Sequence, residues 1–205
     1  MISGTQRVNT SRANRGVLSA GTNFEERFVP DFDRLAEMVE AFKTVGLRIV
    51  LTQGAFDFIH IGHCLYLEQA KALGDILIVG VDSDEKVRGR KGPDRPIVSH
   101  EERIKMLSHI RHVDIVTLKQ AETRKWELIK KIRPDVLVAT KDTYSSTKAK
   151  EVEQYCGELI ILAPQATTST TAKLRRLNIG LAHKMKGAVA EAIDEAFDRL
   201  ADGDA

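Results

Sequence analysis

From Leu47 onward the chain alternates short, continuously apolar, β-rich runs with amphipathic helices, and no other feature narrows the possible folds as far. The runs are Leu47–Thr52, Ile76–Asp82, Val113–Leu118, Asp135–Thr140 and Glu158–Ala163. Between them the spacing predicts helices over His63–Leu73, Ser99–Ile110, Lys125–Ile132 and Lys148–Cys156. A strand that is apolar at nearly every position suits a parallel sheet buried on both faces. Repeated strand–helix alternation therefore implies an α/β fold, a doubly wound parallel sheet of about five strands. Ser99 followed by Glu102 reads as a capping box, and Gly74 and Pro134 end helices before strands. Upstream, Leu35, Met38, Val39 and Phe42 fall on one face of a helix over 31–45, capped by Asp31 or Asp33 and ended by Gly46. Downstream, Met185, Val189, Ile193, Phe197 and Leu200 form the apolar stripe of a last helix over 185–200. Spacing alone leaves open whether that stripe packs on its own domain or joins two subunits as a homodimer.

A chain of 205 residues holds one domain plus decorations. Its apolar runs fall far short of the ~20 residues a membrane span needs, so no membrane partner is expected. With 31 Lys+Arg against 29 Asp+Glu the net charge is +2, which offers no basic face for nucleic acid. Two cysteines are too few for a disulfide framework or a four-thiolate zinc site and suit a reducing cytoplasm. Residues 1–24 hold Arg7, Arg12 and Arg15 but no Asp or Glu. They read as a flexible tail (taken as 1–28), an organelle-targeting segment being the other reading. The main domain is placed at 29–180 and a helical extension at 181–205.

The first strand runs into Gly54-Ala55-Phe56-Asp57-Phe58-Ile59-His60-Ile61-Gly62-His63, and a helix follows at once. In doubly wound sheets ligands sit beyond the carboxyl ends of the strands. Glycines there let backbone approach a ligand, and a helix N-terminus offers unpaired N–H groups and partial positive charge. With two histidines added, the turn reads as a polyphosphate site. A zinc site from His60, His63 and Cys64 is disfavoured, because adjacent His63 and Cys64 diverge and a fourth ligand is lacking. Asp82 and Asp84 close the second strand and are either magnesium ligands or solvated. His100, His109 and His112 read as surface, Cys64 as packing, and Trp126 as core or an aromatic lid over the acceptor.

The string G-x-F-D-x-x-H-x-G-H resembles the signature of the HIGH-motif nucleotidyltransferases, the cytidylyltransferase-like superfamily. Further blocks extend the resemblance over roughly 31–178: Tyr66–Asp75, Val81–Asp84, Arg90–Ile97, Glu102-Arg103, Ile110–Asp114 and Ser169–Thr171. They are most similar to the nucleotidyltransferase domains of ADP-heptose synthases and more distantly to glycerol-3-phosphate cytidylyltransferases. The resemblance implies a Rossmann-like fold that transfers a nucleotidyl group from CTP or ATP to a phosphorylated sugar or polyol and releases pyrophosphate, with Mg²⁺ arriving on the triphosphate and no protein-held metal. It implies catalytic roles for His60, His63 and Lys91. Nucleotide contacts are implied for Gly54, Ala55, Phe56, Gly62, Asp142, Ser169, Thr170 and Thr171, and substrate contacts for Asp57, Arg111 and Lys141. The chain departs from the pattern at Ala139-Thr140-Lys141-Asp142, where the related enzymes carry Gly-Gly-Asp or Gly-Asp-Asp. An adenylyltransferase resembling FAD synthetases, and a nucleotide-binding protein without turnover, remain as other readings.

Overall fold

The computed structural model describes residues 24–140, 144, 146–163, 180, 185–189 and 191–193. The chain divides into two units, Met1–Gln165 and Ala166–Ala205.

In the first unit, among the described residues, β1 (Ile49–Gly54), β2 (Ile76–Asp82), β3 (Ile115–Lys119), β4 (Val136–Thr140) and β5 (Glu158–Leu162) form one sheet. All its pairings are parallel and the order is β3-β2-β1-β4-β5. The expected doubly wound, Rossmann-like α/β architecture is therefore present. The order reverses between β1 and β4, which places the crevice of such a sheet outside their carboxyl ends.

Seven helices accompany the strands among the described residues: α1 (Phe24–Arg27), α2 (Phe32–Thr44), α3 (Ile61–Lys71), α4 (Asp84–Lys91), α5 (His100–Ser108), α6 (Glu127–Ile132) and α7 (Ser146–Glu153). Alternate strand residues separate two cores. Leu35 and Val39 of α2 and Leu128, Ile129 and Ile132 of α6 meet Ile49, Leu51, Ile76 and Ile78 on one face. Leu67 and Ala70 of α3 and Ile104 and Leu107 of α5 meet Val50, Leu77, Val79 and Val81 on the other. Each fully buried Leu, Ile or Val contributes about 1.5–3 kcal/mol. α2 is capped as expected: Asp31 accepts from the Asp33 and Arg34 N–H groups, and Gly46 follows the helix at φ 84°. Gly74 is obligatory by packing, since a Cβ there would lie 2.7 Å from Val50 Cγ2 and 2.8 Å from Arg48 O.

Two elements were absent from the sequence reading. α4 has one buried residue, Val87, and so shows no apolar period. α1 lies within the stretch read as a flexible tail. There Arg27 is buried and donates to Ser108 O at 3.0 Å and Val113 O at 2.9 Å, and Phe28 bridges Val116 at the outer edge of β3. The tail reading thus fails for residues 24–28, because Arg27 satisfies carbonyls at the end of α5 and before β3. In the second unit residues 185–189 and 191–193 are helical, with Met185, Val189 and Ile193 about half exposed. Among the described residues no helix is long and apolar enough to cross a membrane.

Candidate active site

β1 delivers Gly54 to the crevice, and the chain then turns sharply into α3. Phe56 and Phe58 take left-handed backbone angles, φ 49° and 55°, in this turn. Such a conformation costs an ordinary residue on the order of 1–3 kcal/mol and persists only where its surroundings enforce it. Here the Phe56 ring packs beside Gly54, 3.4 Å from where a Cβ would stand, and lies 5.7 Å from the His63 ring.

His60 is the N-cap of α3 and His63 is its third residue. The Gly62 N–H donates to His60 Nδ1 at 3.1 Å, and the His60 N–H donates to His63 Nδ1 at 3.3 Å. The two imidazoles, 4.1 Å apart between ring centroids, thus replace the usual Ser and Glu of a capping box. An Nδ1 that accepts a backbone N–H carries no proton, so the hydrogen of each neutral ring sits on Nε2. Helix capping therefore fixes the tautomer of both histidines and makes each Nε2–H the ring's donor.

Around this turn, the segment between β2 and α5 is held by ion pairs. Asp57 is buried and accepts from Arg95 Nη1 at 2.6 Å and from the Ile97 and Val98 N–H groups at 3.0 and 3.1 Å. Its role here is to seat the 92–98 loop, so the substrate contact expected of it would have to compete with these bonds. Arg103, fully buried, donates from Nε to Val98 O at 2.9 Å, from Nη2 to Asp84 at 2.7 Å and from Nη1 to Ala55 O. It joins the turn after β1, the start of α4 and the loop before α5. Read in sequence, Arg103 belongs to the resembling block Glu102-Arg103 but carries no assigned role.

Lys91 ends α4 just before Gly92, whose φ is 96°. Desolvation, then the Arg90 and Arg95 cations, hold its ammonium below the usual lysine range. Asp82 is fully buried between Lys119 and Arg90; burial would raise its pKa, but the two cations outweigh it and keep the carboxyl below the usual aspartate range. Burial likewise opposes Asp84, whose carboxyl the Arg103 and His100 hydrogen bonds hold low. Both aspartates are thus engaged by cations rather than open to a metal. Among the described residues no group of three His, Cys, Asp or Glu could hold an ion.

Other expectations separate. Arg111 lies before β3 at the amino end of the sheet, exposed, with Nη2 3.9 Å from Glu68 Oε1 of α3. Trp126 takes the core role: its ring lies 5.4 Å from that of Tyr144, and Nε1 donates to Glu151 at 3.0 Å. Asp142, Lys141, Ser169, Thr170 and Thr171 lie outside the described residues.

A strand-to-helix turn with two oriented imidazoles, set beside Lys91, Arg90 and Arg95, defines a polyphosphate-handling α/β protein. The comparisons narrow the class. The sequence profile of the cytidylyltransferase-like family matches residues 51–178, and the chain belongs to that family of nucleotidyltransferases. It is 42% identical over 154 residues to the bifunctional protein HldE of Nitratiruptor sp., a match covering 74% of this chain and 32% of that protein. It is 32% identical over 176 residues to the HldE of Syntrophotalea carbinolica, covering 85% and 36%. The chain thus spans about a third of the length of these relatives. A solved lipopolysaccharide core biosynthesis protein of Thermoplasma volcanium aligns with TM-score 0.52 and 25% identity, covering 58% of this chain and 98% of the other. A pantoate–β-alanine ligase of Francisella tularensis shares the fold at TM-score 0.52 and 12% identity, over 66% of each chain.

Proposed function

We propose that this chain transfers a nucleotidyl group from ATP or CTP to a phosphorylated sugar or polyol, releasing pyrophosphate. The observation that carries the reading is the pair of histidine caps, each presenting Nε2–H at a helix N-terminus beside a cluster of cations. The relatives named HldE and the lipopolysaccharide core biosynthesis protein support an acceptor of the sugar-phosphate class.

A phosphomonoester acceptor has a second pKa near ~6, so its oxygen is already an anion at neutral pH and needs no general base. That oxygen attacks the α-phosphorus in line; the bond to the bridging oxygen breaks, and pyrophosphate leaves with the electron pair. The protein's task is to align two anions and stabilise the charge that spreads over the α-phosphate oxygens. His60 and His63 donate through Nε2–H without changing protonation state, and the first N–H groups of α3 add fixed dipoles. Lys91 neutralises the phosphates, and an arriving anion offsets the Arg90 and Arg95 cations that act against its ammonium. Gly54, Ala55, Phe56 and Gly62 allow close approach, Asp142 and Ser169–Thr171 are assigned to the nucleotide, and Lys141 and Arg111 to the acceptor. The exposed positions Met185, Val189 and Ile193 support a homodimer, which deletion of residues 184–205 would convert to a monomer in light scattering. Sparse cysteine and the supply of both triphosphates suit a cytoplasmic setting.

The test is pyrophosphate release from ATP and from CTP over a panel of sugar phosphates, polyol phosphates and flavin mononucleotide. Release with a sugar or polyol phosphate is expected. Release with the flavin alone would move the assignment to an FAD-synthetase-like enzyme. Nucleotide binding without release for any acceptor would leave a non-catalytic binding protein.

A further inference from the structure

The Asp82 side chain is 1% exposed and holds two cations at once. Lys119 Nζ lies 2.9 Å from Oδ1 and Arg90 Nη2 lies 2.9 Å from Oδ2. One cation neutralises one carboxylate, and the costly state of a buried acid is to have none. The two partners are unlike. Lys119 sits directly across from Asp82 in the β2–β3 register and is 12% exposed. Arg90 lies in the last turn of α4, next to Lys91, and is 52% exposed. Arg90 can therefore leave without stranding the carboxylate, because Lys119 remains. Its resting place is also crowded by like charge, since Arg90 and Arg95 both act against the Lys91 ammonium. An arriving anion relieves that crowding.

We propose that Arg90 is an exchangeable polyphosphate ligand: it rests on Asp82 and turns to the nucleotide's phosphates when they bind, while Lys119 retains the vacated carboxylate. Asp82 and Lys119 then set nucleotide affinity without touching the nucleotide. The proposal rests on the reading of the site as a triphosphate site. A ligand shifts such an equilibrium only by its differential affinity for the two states, so Asp82's hold on Arg90 subtracts from binding. Weakening that hold tightens binding. Removing Lys119 makes Arg90 the sole partner of a buried acid, locks it there and weakens binding.

A long-range field would give the same signs for the single variants, so the test is a double-mutant cycle through Arg90. Binding of magnesium ATP, magnesium CTP and tripolyphosphate to the full chain is measured by calorimetry, with melting curves to verify folding. Arg90→Ala is expected to weaken binding about 10-fold, as loss of one charge-assisted contact does. Asp82→Asn is expected to tighten it, and Lys119→Met to weaken it, by about 5-fold each, the low end of usual coupling. In the Arg90→Ala background the Asp82→Asn effect should shrink to within about twofold, the limit for independent sites. Weaker binding in Asp82→Asn, binding in Lys119→Met as tight as wild type, or an Asp82→Asn effect that persists without Arg90 would overturn the proposal. If Asp82→Asn does not fold, Asp82→Ser takes its place in the same cycle. A wild-type chain that binds none of the three probes would overturn the functional reading itself; one that binds them without this pattern overturns only the exchange.

Discussion

The two ends of the sheet use the same residue type in opposite ways. At the amino end Asp75, Asp114 and Asp135 each stand immediately before a strand, and each accepts a backbone N–H at or next to the start of the neighbouring strand. Arg48 N–H reaches Asp75 at 2.8 Å, Leu77 N–H reaches Asp114 at 2.7 Å and Ile49 N–H reaches Asp135 at 2.7 Å. These bonds complete a ladder that would otherwise leave donors unmet. At the carboxyl end Asp57, Asp82 and Asp84 bind Arg95, Arg90 and Arg103 instead. Those pairs fix loops and leave an excess of cations beside the histidine turn. One edge is stitched strand to strand, while the other ties its loops together through ion pairs.

The sharpest way to break this contrast is at the histidines. His60→Ala or His63→Ala should lower kcat by about 10²–10³, as for the loss of one donor to a developing oxyanion. Each ring also caps α3, so the alanine variants should lose roughly 1 kcal/mol of stability as well. His60→Asn separates the two roles, because asparagine is a good N-cap but lacks the Nε2–H. It should melt near the wild-type temperature and still be slow. Steady-state kinetics with melting curves read both, and wild-type turnover in His60→Asn would remove the imidazole from the chemistry.

Stability comes next. Arg103→Met leaves two carbonyls without their donor and Asp84 with only His100, a change of the kind that costs about 3–5 kcal/mol when a buried ion pair loses one member. Denaturant unfolding should show that loss, together with weaker nucleotide binding, because the three segments joined by Arg103 frame the site. At the other edge Asp114→Ala should cost about 1–3 kcal/mol through an unmet Leu77 N–H and an unpaired Lys71, which lies 2.6 Å from the carboxylate. Its kcat and KM should stay at wild-type values. A change in KM for either reactant would mean that the amino edge is coupled to the site.

Much of this arrangement is legible in residue order. β2 falls on Ile76–Asp82 as expected, because all seven residues are buried and the pattern has no competing face. β1 begins and ends two residues later than its apolar run suggests, since Gln53 and Gly54 still pair with β2 though neither is apolar. α4 escapes because it is held by the Ser83 cap and by Arg90 and Arg103 rather than by an apolar stripe. The histidine turn was visible as a string, but its capping bonds and the tautomer they impose depend on backbone geometry that spacing does not encode. The partners of Arg103 and of the aspartates at both edges could not be read for a common reason: a charged residue's partner is chosen by topology, not by sequence distance.

The smallest expected effect tests how the crevice itself is tied. The Tyr66 hydroxyl donates to Val138 O at 3.1 Å and lies 2.7 Å from Thr52 Oγ1, so one side chain of α3 bridges β1 and β4, the strands that flank the switch point. Burial pushes its pKa up to about 12, and the Thr52 hydrogen bond only partly offsets this. An unfolded tyrosine titrates near ~10. A group whose folded pKa is raised contributes stability that is fully present below the unfolded value and is lost as pH rises through the folded one. Tyr66 should therefore add stability up to about pH 10 and lose it progressively as the pH climbs towards 12. Tyr66→Phe should cost roughly 1 kcal/mol at neutral pH, the net worth of an ordinary hydrogen bond. Its stability should also fall less steeply than wild type across the alkaline window, so that the two curves converge. The measurement is the difference between wild-type and variant unfolding free energies as pH is raised, which cancels the titration of the lysines and remaining tyrosines. Parallel curves would mean that the phenol stays hydrated and that β1 and β4 are held at the crevice by the ladder alone.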